Sequence, residues 1–260
     1  MDKRRVIYYR NEPDEELSLA RITPRRIDGS YRYLHDRPLE AGATFMLRPL
    51  ALFSAYLYPR VVFWHRVEGR ERLAPYVGSG YFLYGNHTQD IADALIPSTL
   101  APKKKTYVIV HPSNVSMPLL GRITPYLGAL PLPDDKAARE NFKRAIDRII
   151  SDGGTIAIYP EAHIWPYYTE IRPFSDDSFY YPVRYGVPSF CFTNTYQRGR
   201  SSRAPRIVTY IDGPFFADRT LPYRMQRAEL RDRIYAVMCR RARLSTEERI
   251  KYVRIVDTDD

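Results

Sequence analysis

Residues 84–93 read Tyr-Gly-Asn-His-Thr-Gln-Asp-Ile-Ala-Asp and set one histidine ahead of two acids. A histidine titrates near neutral pH, so His87 is a candidate general base. Such a base takes the proton from a hydroxyl or a water as its oxygen attacks an electrophilic carbon, a contribution of roughly 10²- to 10⁴-fold. A carboxylate on the other ring nitrogen fixes the tautomer and stabilises the imidazolium. Asp90 and Asp93 both stand where a first helical turn would let them reach back to His87. The same acids also suit a plain helix start, because carboxylates favour the positive end of the helix dipole.

A second stretch, residues 156–174, reads IAIYPEAHIWPYYTEIRPF. It takes the chain from an apolar run into a loop carrying Glu161, His163, Trp165 and Arg172. Prolines at 160, 166 and 173 restrict its backbone, which helps a site keep its shape. Arg172 suits either a phosphate clamp or an ion pair at the surface, and the loop suits either a site or a cover over a core edge.

These residues need elements to hold them. Short apolar runs at 81–84, 106–110, 155–159, 189–196 and 206–212 read as strands. A helix is expected over 88–100 with Thr88 as its N-cap. The clearest helix covers 136–154, with Phe142, Ile146, Ile149 and Ile150 on one face, an Asp pair before it and Gly153 to stop it. An arginine-rich helix follows at 222–242. This alternation predicts an α/β fold with a mostly parallel central sheet flanked by helices, preceded by an N-terminal helical and aromatic segment. Ligands of such sheets bind beyond the carboxyl ends of the strands. His87 and Glu161 each follow a strand, so both fall at that end.

We expect an N-terminal arm over 1–44, with a short strand near 6–9, and a catalytic-type domain over 45–260. Residues 45–65, FMLRPLALFSAYLYPRVVFWH, are the most apolar stretch, but Arg48 and Arg60 interrupt it. The uncharged run between them is far below the ~20 residues needed to cross a bilayer. It reads either as a segment lying in a membrane interface or as a core helix beneath the sheet.

The chain has 260 residues, a net charge of +10 and 22 tyrosines. A basic surface attracts polyanions, whether nucleic acid, anionic lipid or a phosphate-bearing substrate. No nucleic-acid-binding signature is present, so that partner is not expected. Lys104 and its basic neighbours in PKKK (102–105), and the arginines of 222–242, suit an acidic partner or a solvated face. Two unclustered cysteines, Cys191 and Cys239, exclude a zinc ribbon or disulfide scaffold and fit a reducing compartment. No apolar core follows the basic first residues, so no signal peptide is expected.

The order of motifs resembles the lysophospholipid (1-acylglycerol-3-phosphate) acyltransferase family. VEGRERL (67–73) resembles the lead-in to its first sheet strand, and GNHTQDIAD its Asn-His-x4-Asp motif. LLGRITPYLGALPLP (119–133), IAIYPEAH (156–163) and YGVPSFCF (185–192) resemble its second, third and fourth motifs. NHTQ and PEAHIWPYY together are similar to a branch found in Gram-positive bacteria. The resemblance spans roughly residues 60–240.

It implies a glycerolipid acyltransferase fold and transfer of a fatty acyl group to the hydroxyl of a lysophospholipid or related glycerolipid. The donor would be a thioester, acyl-CoA or acyl-carrier protein, used as co-substrate with no other cofactor and no metal. His87 would be the base and Asp93 its orienting acid, with Asp90 as the alternative. Asn86, His163 and Arg172 would contact substrate, and Glu161 would either brace the pocket or bind the acceptor. The chain would sit peripherally on the cytoplasmic face of the cell membrane. It departs from the family in four places, the first being that ALPLPDD (129–135) lacks the arginine with which the second motif holds the acceptor's phosphate. Family spacing puts the acid at position 92, here Ala92; Ala162 replaces a glycine; and His163-Ile164 replaces a Thr-Arg pair that contacts phosphate.

Overall fold

The computed structural model describes residues 5–10, 15, 17, 22–35, 37–101, 104–199 and 204–255. Its strands are β1 (Arg5–Tyr9), β2 (Arg66–Glu68), β3 (Tyr81–Gly85), β4 (Thr106–Val110), β5 (Ala129–Pro131), β6 (Thr155–Ile158), β7 (Ser189–Gln197), β8 (Arg206–Phe215) and β9 (Ile250–Arg254). Its α-helices are α1 (Pro38–Phe63), α2 (Ala92–Leu100), α3 (Leu120–Ile123), α4 (Lys136–Ser151), α5 (Tyr180–Tyr185) and α6 (Tyr223–Ala242). Among the described residues the central sheet has seven strands in the order β2-β8-β7-β3-β6-β4-β5. The run from β7 to β5 is parallel throughout. β8 turns antiparallel to β7, and β2 lies parallel to β8 at the edge. The fold is therefore the expected α/β type, a mostly parallel sheet flanked by helices.

Successive residues of a strand point to opposite faces, and β3 uses both. Phe82 and Tyr84 join the core under α4 and α6, with Phe142, Ile146, Ile149, Leu230, Ile234 and Met238. Tyr81 and Leu83 join the other core, with Ala92, Ile96 and Leu100 of α2 and Phe63 at the end of α1. A strand covered on both faces reads as continuous apolar sequence, which is why YFLY is so plain. α4 starts where Asp135 accepts the Ala138 N–H at 2.8 Å, and Gly153 follows its end with φ 74°. The left-handed conformation suits glycine.

Two expectations change, and one strand is added. The helix expected over 88–100 starts only at Ala92, and Thr88 does not cap it. Residues 86–91 form a loop because the Thr88 and Gln89 N–H groups donate to the Asp93 side chain instead. The apolar segment 45–65 belongs to a longer helix, α1, that does not lie beneath the sheet. Phe45, Met46, Leu50, Phe53 and Val61 are each more than 60% exposed, while Ala55 and Phe63 face inward. No described helix is long and apolar enough to cross a membrane. Finally, β1 pairs in parallel with β9, a strand that the sequence pattern does not announce.

Candidate active site

Register sets the site. Tyr84 in β3 pairs with Ile158 in β6, so the two chains leave the sheet side by side. The β3 exit carries Asn86 and His87; the β6 exit carries Tyr159 and Glu161. Gly85 ends β3 beneath the Phe192 ring, where an added β-carbon would stand 2.1 Å from a ring atom.

His87 Nδ1 lies 2.9 Å from Asp93 Oδ2. The same oxygen accepts the Thr88 N–H at 2.7 Å and the Gln89 N–H at 2.8 Å. The other carboxylate oxygen accepts Asn194 Nδ2 at 3.3 Å. Asp93 is 1% exposed, so these donors replace its water. With Nδ1–H donated to Asp93, Nε2 is the atom left to take a proton. The imidazole is partly exposed and stacks on Tyr159, with centroids 4.4 Å apart and planes 18° from parallel. The Tyr159 hydroxyl donates to the Asp93 carbonyl at 2.5 Å. Asp90 is on the exposed side of the loop and is not the acid on His87. The loop conformation decides this: by residue 93 the chain has turned back, and at residue 90 it points outward.

Glu161 acts on the backbone. Its Oε2 accepts the His87 N–H at 2.9 Å, and its Oε1 accepts the Arg172 N–H at 3.0 Å. Trp165 N–H donates to the His87 carbonyl at 3.1 Å, so the histidine's peptide is held from both sides. The Arg172 guanidinium sits 3.4 Å from Glu161, donates to the His163 carbonyl and lies over the Trp165 ring at 5.0 Å. Burial lifts the Glu161 pKa above the usual glutamate range, opposed first by Arg172 and then by the two backbone donors.

The expected substrate contacts are therefore revised. Asn86, Glu161 and Arg172 are 1%, 4% and 1% exposed, with their polar groups turned onto the protein. Arg172 offers no face to a phosphate; it braces the loop. Asn86 exchanges two hydrogen bonds with the Asn194 backbone, at 2.8 and 3.0 Å. His163 is half-buried and is the member of that group nearest solvent. Ala162 adopts φ 64°, the left-handed region that favours glycine, so its methyl carries local strain.

Asn194 is absent from the sequence reading. Its signal was present: Thr193-Asn194-Thr195 interrupts an apolar central strand, and buried polar side chains require partners. The basic segments also read differently in three dimensions. Lys104 is buried, with Nζ donating to the Tyr76 carbonyl at 3.0 Å and to the Ser79 carbonyl, so it holds a turn. Pro102 and Lys103 lie outside the described residues. On α6, Arg241 grips Asp212 through two 2.8 Å bonds, and Arg227 pairs with Asp176 and Asp177.

An open cavity of about 590 Å³ lies at the carboxyl ends of β4 and β5. Arg25, Arg26 and His111 line it with Pro112, Leu132 and Asp134. β4 is two strands from β3, about 10 Å at the usual strand spacing.

A parallel sheet with a histidine–aspartate pair at its carboxyl edge is an arrangement suited to general-base chemistry, and the fold has a solved counterpart. The chain is similar to the crystal structure of PlsC, the 1-acyl-sn-glycerophosphate (LPA) acyltransferase from Thermotoga maritima. The TM-score is 0.56 at 17% identity, covering 81% of this chain and 85% of that one. At that identity the likeness is one of fold. No family model matches the chain, and no curated protein does.

Proposed function

We propose that this protein transfers a fatty acyl group from a thioester donor to the hydroxyl of a lysophospholipid or related glycerolipid. The observation that carries the reading is the buried Asp93 carboxylate on His87 Nδ1, at the carboxyl edge of a sheet built like that of an LPA acyltransferase. His87 Nε2 takes the acceptor's hydroxyl proton while the oxygen attacks the thioester carbonyl carbon. The tetrahedral intermediate collapses, the carbon–sulfur bond breaks, and the imidazolium returns the proton to the departing thiolate. Asp93 stabilises the imidazolium in between. The donor, acyl-CoA or acyl-carrier protein, is co-substrate, and the balance needs no further reactant.

Arg25 and Arg26 supply charge for a phosphate-bearing substrate on the same rim as His87. The exposed apolar side of α1 supports peripheral attachment to a membrane, where such acceptors reside. Two free thiols, Cys191 and Cys239, fit the cytoplasmic face.

The test uses liposomes, labelled palmitoyl-CoA or palmitoyl-carrier protein, and a panel of lysophosphatidate, other lysophospholipids and uncharged glycerolipids. An acylated product that His87→Ala abolishes supports the reading, and the preferred acceptor reports whether phosphate matters. Label released only as free acid, dependent on His87, replaces transfer by hydrolysis. No turnover with any donor and acceptor overturns the proposal.

A further inference from the structure

Behind Asp93 runs a line of buried polar groups that the reaction as written does not use. Asn194 Nδ2 meets Asp93 Oδ1 at 3.3 Å. Asn194 Oδ1 meets Thr209 Oγ1 at 2.6 Å, and Thr209 Oγ1 meets His65 Nε2 at 2.8 Å. Asn194, Thr209 and His65 are 2%, 0% and 7% exposed. They come from β7, from the partner position on β8, and from just beyond the end of α1.

The direction of each bond follows from the charge on Asp93. An ionised carboxylate only accepts, so Asn194 presents its NH₂ there and its carbonyl oxygen to Thr209. That oxygen also only accepts, so the Thr209 hydroxyl spends its one proton on it. Thr209 must then accept from His65, whose ring carries its proton on Nε2. Burial, with Arg60 and Arg70 nearby, lowers His65 to about 4, so the ring stays neutral at working pH. Without the Thr209 hydroxyl, the Asn194 carbonyl oxygen is left buried with its donor removed, and the amide is held on one side only, by Asp93 itself.

We infer that His65, Thr209 and Asn194 are positioning residues that hold the Asp93 carboxylate, and through it the Nδ1–H tautomer and ring angle of His87. This rests on the proposed role of His87 as the base. The chain begins two residues past Phe63, so the pair is tied to the end of the helix that bears the exposed apolar side. Other groups around the pair are Tyr159 against the ring, Tyr196 on Thr88, and Glu161 with Arg172 on the His87 peptide. None of them bonds to Thr209 directly, which makes that hydroxyl a selective place to cut.

The experiment compares full-length wild type with Thr209→Val, Thr209→Ser and His65→Phe. Thr209→Val keeps the shape and removes only the hydroxyl. We expect its kcat to fall about 10-fold or more, the scale of a small misplacement of a reacting group. KM should stay within about twofold, because ground-state binding is untouched. Thr209→Ser should recover most of the loss, and His65→Phe should follow the valine variant. Imidazole ¹⁵N spectra, assigned with His87→Gln, should give one Nδ1–H tautomer for His87 in wild type and a mixture in Thr209→Val.

Unchanged kcat and tautomer in a folded Thr209→Val protein would overturn the inference. So would a loss that follows the melting temperature and is the same in Thr209→Ser. If wild type transfers no acyl group at all, the functional reading fails, and the spectra alone still decide the positioning: a tautomer shift upholds it and none sinks it.

Discussion

The carboxyl end of β3 and β6 and the outer side of α1 treat water in opposite ways. At the first, Asp93, Glu161 and Arg172 are each under 5% exposed. At the second, Phe45, Met46 and Leu50 are 80%, 78% and 66% exposed. Charged residues are rarely interior unless paired, and a contiguous apolar surface calls for a partner. Inside, every carboxylate oxygen of Asp93 and Glu161 has a donor with a set direction, so geometry carries the energy. Outside, the helix offers area without direction, which suits a fluid apolar phase better than a shaped pocket. A change at the first region should break chemistry or folding. A change at the second should leave both intact and, under the proposed peripheral attachment, weaken binding to vesicles.

The sharpest test of the interior is Asp93→Asn. The side chain keeps its size, but its amide cannot accept from three N–H groups at one oxygen or stabilise an imidazolium. Acyl transfer should drop about 10³- to 10⁴-fold, as when the acid behind a catalytic histidine is neutralised, with kcat under saturating donor as the readout. Wild-type rates would dissolve the contrast between the regions, since Asp93 would then be an ordinary loop cap.

Arg172→Leu comes next. It leaves Glu161 buried without its guanidinium, and urea unfolding should register a loss of about 3–5 kcal/mol. Adding Glu161→Gln should return part of that, because the stranded charge is then gone. Equal stability of the single and double variants would separate the brace from the charge pair.

A smaller effect is the acid response set by His65. Its folded pKa, about 4, lies below the ordinary histidine value of 6.5. The unfolded chain therefore binds the proton first, and stability falls as pH drops from about 6.5 toward 4, by up to about 3 kcal/mol. Chemical denaturation across that window should flatten in His65→Phe relative to wild type. The same slope in both would assign the acid sensitivity to other groups.

The smallest effect on the folded protein belongs to α1. Leu50→Glu with Phe53→Glu should shift stability by no more than about 0.5 kcal/mol, as exposed substitutions do. Vesicle binding should weaken at least about tenfold, since two side chains lose their apolar burial. Unaltered flotation with anionic liposomes would give α1's exposed side some other partner.

Much of the framework was legible because it depends on local pattern. β4 matches the expected 106–110, and α4 and α6 begin within a residue of expectation. Continuous apolar runs mark strands covered on both faces, and a 3.6-residue apolar period marks α4. The helix expected over 88–100 fails at its start because Asp93 draws the N–H groups of Thr88 and Gln89 to itself. Propensity and capping preference at Thr88 cannot register a carboxylate that folds back.

By itself, then, the chain's sequence determined the alternation of strands and helices, the α/β class, and the placing of His87 and Glu161 just past strand ends. Those depend on side-chain periodicity within one segment. Tertiary structure decided the rest. It selected Asp93 over Asp90, turned Arg172 from a candidate clamp into an inner brace, and brought Asn194 and Thr209 behind Asp93 from more than a hundred residues away. It also left α1 with its apolar side facing out. Each of these outcomes depends on which strands become neighbours, and strand order is set by the burial of the whole sheet, a sum over contacts that no single segment contains.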